Sequence, residues 1–142
     1  MSHVRLRLLL AAPLVIGSLL YAQHDDHKGE SVKVVSTTEL HEKLDGHPTN
    51  ATVVEVTIEP GQQGAPHRHP GPAIVYVLEG QYELGIDDQP TKTFKAGETF
   101  YEPGNHLHRV SKNPAKQGKT RLLAVVLHPR DAKDIAVPEK QH

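Results

Sequence analysis

From Ser31 onward the chain breaks into short apolar segments separated by glycine, proline, asparagine and aspartate. Apolar and polar residues alternate within several of them, as between Ala51 and Ile58, where Val54, Val56 and Ile58 would share one face. Alternation with a period of two is typical of strands that are buried on one side. No long amphipathic helical pattern competes with it, so the sequence predicts an all-β sandwich or barrel.

The strands can be placed by their flanking turn residues. Ser36-Thr-Thr-Glu39 has the spacing of a helix capping box, which predicts a short helix through Leu40 and Leu44 that ends at Gly46. The remaining apolar segments are short enough for strands and too short for helices. We expect strands at residues 32–34, 51–58, 73–78, 81–86, 91–95, 99–102, 107–111 and 121–127.

Three histidines stand beside these strands. His67 and His69 are separated by one residue, and His108 lies near the start of a later strand. Residues two apart in a strand point to the same side, so His67 and His69 can aim two imidazoles at one point. Neutral imidazole binds Zn, Cu, Fe and Ni, and three protein ligands with open positions are typical of a reactive metal centre. The sequence predicts a divalent metal ion, Fe(II), Mn, Ni, Cu or Zn, held by His67, His69 and His108.

The residues around the first two histidines resemble the first motif of the cupin family, Gly-x5-His-x-His, followed after three or four residues by Glu-x6-Gly. Gly61, His67 and His69 fit this motif without a gap, and Gly80 lies at the closing glycine. Counting back from Gly80, the glutamate of the motif falls at Ala73. In the family that glutamate is usually a metal ligand. Its replacement argues against the usual four-ligand site, although some cupin dioxygenases manage with three histidines.

A second stretch resembles the other cupin motif, Gly-x5-Pro-x-Gly-x2-His-x3-Asn. Gly97, Pro103 and His108 fall at its spacing, whereas Gly104 lies one position early and Asn113 one position late. The resemblance implies a cupin jelly-roll barrel of antiparallel strands, and with the flanking strand pattern it predicts a cupin β-barrel domain over residues 31–130.

Two residues are candidates for the fourth ligand in place of the missing glutamate. Glu102 precedes the turn at Pro103 and could enter the coordination sphere or hydrogen-bond a ligand imidazole, although a solvated carboxylate at a strand end is the simpler interpretation. His106 forms a second His-X-His with His108 and could be a further donor or a pocket residue. The expected pocket walls are Val75, Val77, Phe100 and Leu123. These residues, and Tyr76, Tyr82 and Tyr101, are more often packing residues than catalysts.

The N-terminal segment has the pattern of a secretory signal. Residues 1–22 carry Arg5 and Arg7, an apolar run and a small residue, Ala22, before the expected cleavage site, which would leave a mature terminus at Gln23. The interpretation predicts an exported, periplasmic or secreted protein without stable membrane insertion after cleavage. Residues 23–30 are expected to form a flexible leader, and residues 131–142 a charged C-terminal tail or an edge strand.

Composition limits the function classes. The formal net charge is −1 and no basic patch indicates nucleic acid. The chain has no cysteine, so neither a thiolate ligand nor a thiolate nucleophile is available. We expect the partner to be a small-molecule ligand or substrate. The sequence leaves undecided whether the chain forms a homodimer. Two functions are open at this point: a metal-dependent dioxygenase or related oxidoreductase, and a noncatalytic cupin module that binds or senses a small ligand or metal.

Overall fold

The computed structural model describes residues 25–27 and 29–140, which form eleven β-strands. The predicted signal peptide, its cleavage site after Ala22 and the expected terminus at Gln23 lie outside these residues. Within the described ranges, no helix is long and apolar enough to cross a membrane. The strands are β1 (Asp25–His27), β2 (Glu30–Leu44), β3 (His47–Ile58), β4 (His67–Arg68), β5 (Ala73–Glu79), β6 (Gln81–Ile86), β7 (Lys92–Lys95), β8 (Thr99–Glu102), β9 (His108–Lys112), β10 (Thr120–Pro129) and β11 (Val137–Pro138).

These strands form two antiparallel sheets that face each other. The larger sheet has the order β1-β2-β3-β10-β5-β8, and the smaller has the order β11-β4-β9-β6-β7. The predicted fold class, an all-β jelly roll of antiparallel strands, is therefore confirmed, with the difference that the sheets do not close into a continuous barrel. The connections run back and forth between the sheets, so residues distant in sequence meet between them.

A long hairpin joins β2 to β3 where the sequence predicted a short helix through Leu40 and Leu44. Asp45 and Gly46 at its tip both have positive φ, 49° and 79°. Two consecutive positive φ values are those of a type I′ turn, in which Asp-Gly is strongly favoured. The helix prediction was wrong because pairing of β2 along β3 outweighs a weak local capping preference.

The core lies between the sheets and is built mainly from alternate residues of the larger one, with Tyr82 and Leu84 from β6 of the smaller sheet. In β10, which pairs with β3 on one side and β5 on the other, Leu122, Ala124 and Val126 point inward. Leu123 was predicted as a wall residue, but it lies on the opposite face of β10, one position out of register. The buried apolar cluster consists of Val54, Ile58, Val75, Val77, Tyr82, Leu84, Phe100, Leu122 and Ala124.

The segment after β10 returns to the smaller sheet. Its short strand β11 pairs with β4, so that Val137 lies opposite Arg68 and Pro138 opposite His67. Arg68 also forms an ion pair with Glu139, 3.1 Å between Nε and Oε2. The segment that the sequence left as a tail or an edge strand thus contributes an edge strand beside the first two histidines. At the other end, Asp25–His27 of the predicted leader pair with β2.

Candidate metal centre

The structure brings the three predicted histidines together. His67 in β4 lies directly opposite His108 at the start of β9, and His69 follows β4 immediately. One possible ligand atom from each side chain lies within 4.8 Å of the others, and the three ring centroids are 4.8 to 4.9 Å apart. The group can therefore hold one metal ion, because imidazole nitrogens bind such ions at about 2.0 to 2.1 Å.

Backbone carbonyls fix the orientation of two of these rings. Nδ1 of His67 donates a hydrogen bond to the carbonyl of Ala65 over 2.9 Å, and Nδ1 of His69 donates to the carbonyl of Ile135. A carbonyl oxygen can only accept, so the proton of each neutral ring lies on Nδ1 and the lone pair lies on Nε2. Metal-binding histidines usually have such an outer partner, which sets both the tautomer and the ring orientation.

His108 is the most buried of the three. Its side chain is 1% exposed, and its Nε2 has no hydrogen-bond partner among the described residues. Burial lowers the pKa of His108 to about 4, so the ring stays neutral near pH 7. A buried nitrogen without a partner is costly in a purely structural role, and a metal ion would satisfy it.

Glu102 joins the histidines, and the interpretation of a solvated carboxylate was wrong. The residue is only 4% exposed. Its Oε2 lies 3.5 Å from Nε2 of His69, and its Oε1 lies 3.5 Å from Nδ1 of His108. A carboxylate buried this deeply needs a positive partner, and a divalent metal between these groups would supply one.

The position of Glu102 explains how the chain does without a glutamate at residue 73. Ala73 in β5 is paired directly with Glu102 in β8, and both side chains point between the sheets. Residues opposite each other in an antiparallel pair have Cβ atoms about 4.5 to 5.5 Å apart on the same face. Glu102 therefore supplies a carboxylate beside the histidines from the strand that neighbours Ala73. Sequence spacing does not reveal this arrangement because it depends on strand pairing.

His106 does not join the cluster. Its Nδ1 contacts the carboxylate of Asp87 instead, and its side chain is 50% exposed. The hydrogen bond from His106 lowers the pKa of Asp87, with help from the backbone N–H of Leu107. Of the two candidates for a fourth ligand, the structure thus places Glu102 at the site and His106 outside it.

The turn before His108 explains the imperfect match to the second motif. Counting from Pro103, the motif glycine falls at Asn105, whose φ is 64°. Asparagine tolerates this left-handed conformation better than other side chains do. Asn105 also donates its backbone N–H to the carbonyl of His69 over 2.8 Å. The turn therefore keeps the geometry that a glycine would give, and it connects the two histidine segments.

The histidine cluster borders a cavity of about 310 Å³, which two of its members line. His67, His69 and Glu102 border it on one side, and apolar side chains form most of the remainder. Among the predicted wall residues, Val75 lines the cavity, whereas Val77 and Phe100 are buried in the core beside it. The other apolar side chains that line it are Val32, Val34, Val54, Val56, Ala65, Leu122, Ala124, Val126, Ile135, Ala136 and Pro138, and the charged side chains are Glu30, Lys133 and Asp134 besides Glu102. A cavity of this size and polarity fits a small organic molecule.

The tyrosines divide between the inside and the outside of the fold. Tyr82 is buried, stacks on Phe100 with ring centroids 5.3 Å apart and lines the cavity. Burial raises the pKa of Tyr82 well above its ordinary value, so its hydroxyl keeps its proton. Tyr76 and Tyr101 are exposed. Tyr82 is thus the one tyrosine among these three that can meet a ligand.

The sequence interpretation missed a polar group elsewhere in this cavity. Thr37, Thr52 and His128 line the same space as the histidine cluster. Thr52 is buried on the same face of β3 as Val54, and His128 lies beyond the predicted end of the last strand at residue 127. The extension of β10 to Pro129 continues the alternation and turns His128 inward. The sequence signal for this group was the presence of polar residues at positions where the strand alternation points inward.

The fold and the histidine cluster together define a β jelly roll with three histidines that could hold a metal ion. Residues 54–126 match the cupin domain family. The chain therefore belongs to the cupin family. A germin-like protein of Arabidopsis thaliana, subfamily 2 member 2, is 36% identical over 89 residues, which cover 58% of this chain and 40% of that protein. The chain thus spans less than half the length of this relative.

Solved structures share the fold at low identity. A Klebsiella pneumoniae protein with a double-stranded β-helix domain superposes with a TM-score of 0.58 and 22% identity, over 81% of this chain and 89% of that one. The polyketide cyclase RemF of Streptomyces resistomycificus gives 0.55 and 22%, over 81% and 74%. Oxalate decarboxylase of Bacillus subtilis gives 0.59 and 16%, over 83% and 30%. These similarities show the fold alone.

Proposed function

We propose that this protein is a metal-binding cupin in which His67, His69 and His108 hold a divalent metal ion with Glu102 beside them, and that a small organic molecule binds in the adjoining cavity. The observation that carries the proposal is the convergence of three imidazoles and one carboxylate, largely shielded from solvent, beside a mostly apolar cavity that His67, His69 and Glu102 line. Nitrogen and carboxylate ligands together suit Fe(II), Mn, Ni, Cu and Zn. The histidine with the unpartnered Nε2, His108, gives the strongest reason for an ion.

The chemistry would be divided between the ion and the chain. A bound iron or copper ion supplies redox chemistry, whereas zinc supplies Lewis acidity only. The carbonyls of Ala65 and Ile135 keep the protons of His67 and His69 on Nδ1, so that Nε2 of each neutral ring carries the lone pair. The apolar walls would contact the ligand, and Tyr82, whose hydroxyl keeps its proton, lies among them.

We infer an oxidative reaction, of the dioxygenase or related oxidoreductase class, on a small organic substrate. A polyketide cyclase and a decarboxylase share the fold, which supports an enzymatic role without fixing the reaction. Iron-loaded protein should consume O2 when given an acceptable β-diketone, phenol or thiol, and zinc-loaded protein should not, because zinc has no redox chemistry. An oxygen electrode measures this directly. Absence of consumption with every substrate and every redox metal would favour the noncatalytic binding module.

Metal occupancy should fall as the solution is acidified, beginning close to neutrality. Burial lowers the pKa of His69, but the Glu102 carboxylate and the Ile135 carbonyl together outweigh it and raise the pKa above 6.5. Protons therefore compete with the metal at His69 at a higher pH than at His108, whose pKa lies at about 4. Titration of zinc affinity between about pH 8 and pH 5 tests this, with lower affinity at lower pH expected. An affinity that stays constant over this range would contradict the proposed ligands.

We place this function outside the cytoplasm, supported by the basic, apolar and small-residue pattern of residues 1–22. The intact mass of protein isolated from its native host should correspond to a chain that starts at Gln23. Recovery of the full-length chain from the cytoplasm would contradict export.

A further inference from the structure

A chain of three polar side chains lies in the cavity away from the histidine cluster. Oγ1 of Thr37 is 3.0 Å from Oγ1 of Thr52, which is 2.9 Å from Nε2 of His128. Nδ1 of His128 lies 2.9 Å from the carbonyl oxygen of Pro129. Thr52 and His128 are buried, at 3% and 5% exposure, and Thr37 is exposed at the cavity edge.

The hydrogen bonds of this chain have one consistent direction when the imidazole is neutral. The carbonyl of Pro129 can only accept, so Nδ1 of His128 carries the proton and Nε2 accepts from the Thr52 hydroxyl. Thr52 has then used its only proton, so Thr37 must donate to Thr52. Both hydroxyl oxygens keep free lone pairs, and neither has a proton left. The chain therefore offers hydrogen-bond acceptors to a ligand.

Packing alone does not account for these residues. Thr52 precedes Val54, Val56 and Ile58 on the inner face of β3, and His128 follows Leu122, Ala124 and Val126 on the inner face of β10. Replacing a buried hydrogen-bonded pair with apolar groups of similar shape is often neutral or stabilising. An apolar continuation of both strands would therefore serve the core equally well, and the polar pair faces a cavity in which a ligand can use it.

The register of the larger sheet relates this chain to the metal centre. Thr52 is paired with Val126, Val126 with Ala73, and Ala73 with Glu102, so the four side chains form one row on the inner face. Three strand spacings separate its ends, roughly 14 Å along the curved sheet. The row carries a hydrogen-bonding group at one end, the metal centre at the other and apolar side chains between them.

We propose that the Thr37–Thr52–His128 chain is a second anchoring point for the ligand. It accepts a hydrogen bond from a hydroxyl or amino group at one end of a molecule whose other end carries metal-binding oxygens and whose middle is apolar. This inference rests on the proposed function, because it assumes that the near end of the molecule binds the metal. It assigns a ligand class to the cavity: small, elongated, and with a hydrogen-bond donor opposite the chelating group.

Hydroxamates with aromatic tails test this inference on zinc-loaded protein. The hydroxamate chelates the metal, and one or two methylenes between it and the ring adjust the length. Calorimetry compares three tails: phenyl, 4-hydroxyphenyl and 4-methoxyphenyl. We expect the 4-hydroxyl to improve binding about 3- to 10-fold over phenyl at the best spacer length, which corresponds to one net hydrogen bond. The methoxy group, which only accepts, should give no such gain.

Two variants remove the acceptors separately. Thr52→Val removes the central hydroxyl, and Thr37→Val, at the exposed end, leaves the buried Thr52–His128 bond intact and carries little risk to folding. The variant that lacks the acceptor used by the ligand should reduce the gain from the 4-hydroxyl to less than about twofold, while phenyl affinity and zinc content stay the same. Thr57→Val in β3 and Thr38→Val in β2 are matched controls outside the cavity lining, and they should preserve the gain.

The outcomes separate this inference from the proposed function. If all three tails bind equally well to zinc-loaded wild type, or if the gain survives in both cavity variants, the second anchoring point is wrong and the metal-centred cavity stands. An equal gain from the methoxy group would overturn the direction of the hydrogen bonds and with it the assigned ligand class. If no hydroxamate binds, or if binding does not require zinc, the proposed function fails and this inference fails with it.

Discussion

His67→Ala should abolish stoichiometric metal binding. The variant removes one of three converging imidazoles, and we expect the affinity for Zn or Mn to fall by at least about 100-fold, more than the 10- to 100-fold that loss of an outer hydrogen-bond partner causes. His108→Ala should have the same effect. Because His108 is fully buried, its removal also leaves a cavity, and His67 at the partly exposed edge is the cleaner position.

His106→Ala is the matched control for both variants. It removes an imidazole two residues from His108 that contacts Asp87 and lies outside the cluster. Elemental analysis after dialysis should find metal in wild type and in this control, and none in the His67 and His108 variants. Equal metal content in all four proteins would show that the ion, if any, binds elsewhere.

Glu102→Gln should weaken metal binding by about 10- to 100-fold without unfolding the protein. The substitution keeps the size of the side chain and removes its charge, in a place where the carboxylate lies 3.5 Å from both His69 and His108. Ala73→Glu alone should gain little, because the carboxylate of Glu102 already occupies this side of the site and the added side chain overpacks a buried position.

Exchanging the two residues tests whether a carboxylate at position 73 can replace the carboxylate of Glu102. In the double variant Ala73→Glu with Glu102→Ala, the total volume is unchanged and a carboxylate again lies beside the histidines, so most of the affinity lost in Glu102→Gln should return. The double variant Ala73→Gln with Glu102→Ala has the same shape without the charge and should stay weak. Titration with Mn or Zn distinguishes them. Wild-type affinity in Glu102→Gln would show that this carboxylate does not face the ion.

Much of the fold could be predicted because strand periodicity and turn residues are local. The strands at residues 81–86 and 99–102 occur with the predicted bounds, and the others differ mainly at their ends. The error at residues 36–44 has a physical reason. Ser36 to Glu39 offered a local helix cap, whereas the stabilising partner, β3, becomes apparent only through pairing across the Asp45–Gly46 turn. Asp-Gly between two strands was a stronger signal than the cap.

The residues of the candidate site also differ in whether local sequence could predict them. His67, His69 and His108 could be found from spacing, since motif and strand geometry place them without knowledge of the sheet order. Glu102 could not be assigned, because its role depends on the pairing of β5 with β8. Sequence spacing likewise could not exclude His106, which the turn at Asn105 directs toward Asp87.

The docking of the segment from Ile135 to Glu139 makes the metal centre and the end of the fold interdependent. Ile135 accepts the Nδ1 proton of His69, and the strand that follows pairs with the strand that carries His67. Whatever this segment contributes to metal affinity, bound metal must contribute equally to keeping the segment in place. Loss of the ion should therefore favour local opening at this edge. The rate of proteolysis or of hydrogen exchange in this segment would then report metal occupancy, although the segment itself contains no metal ligand.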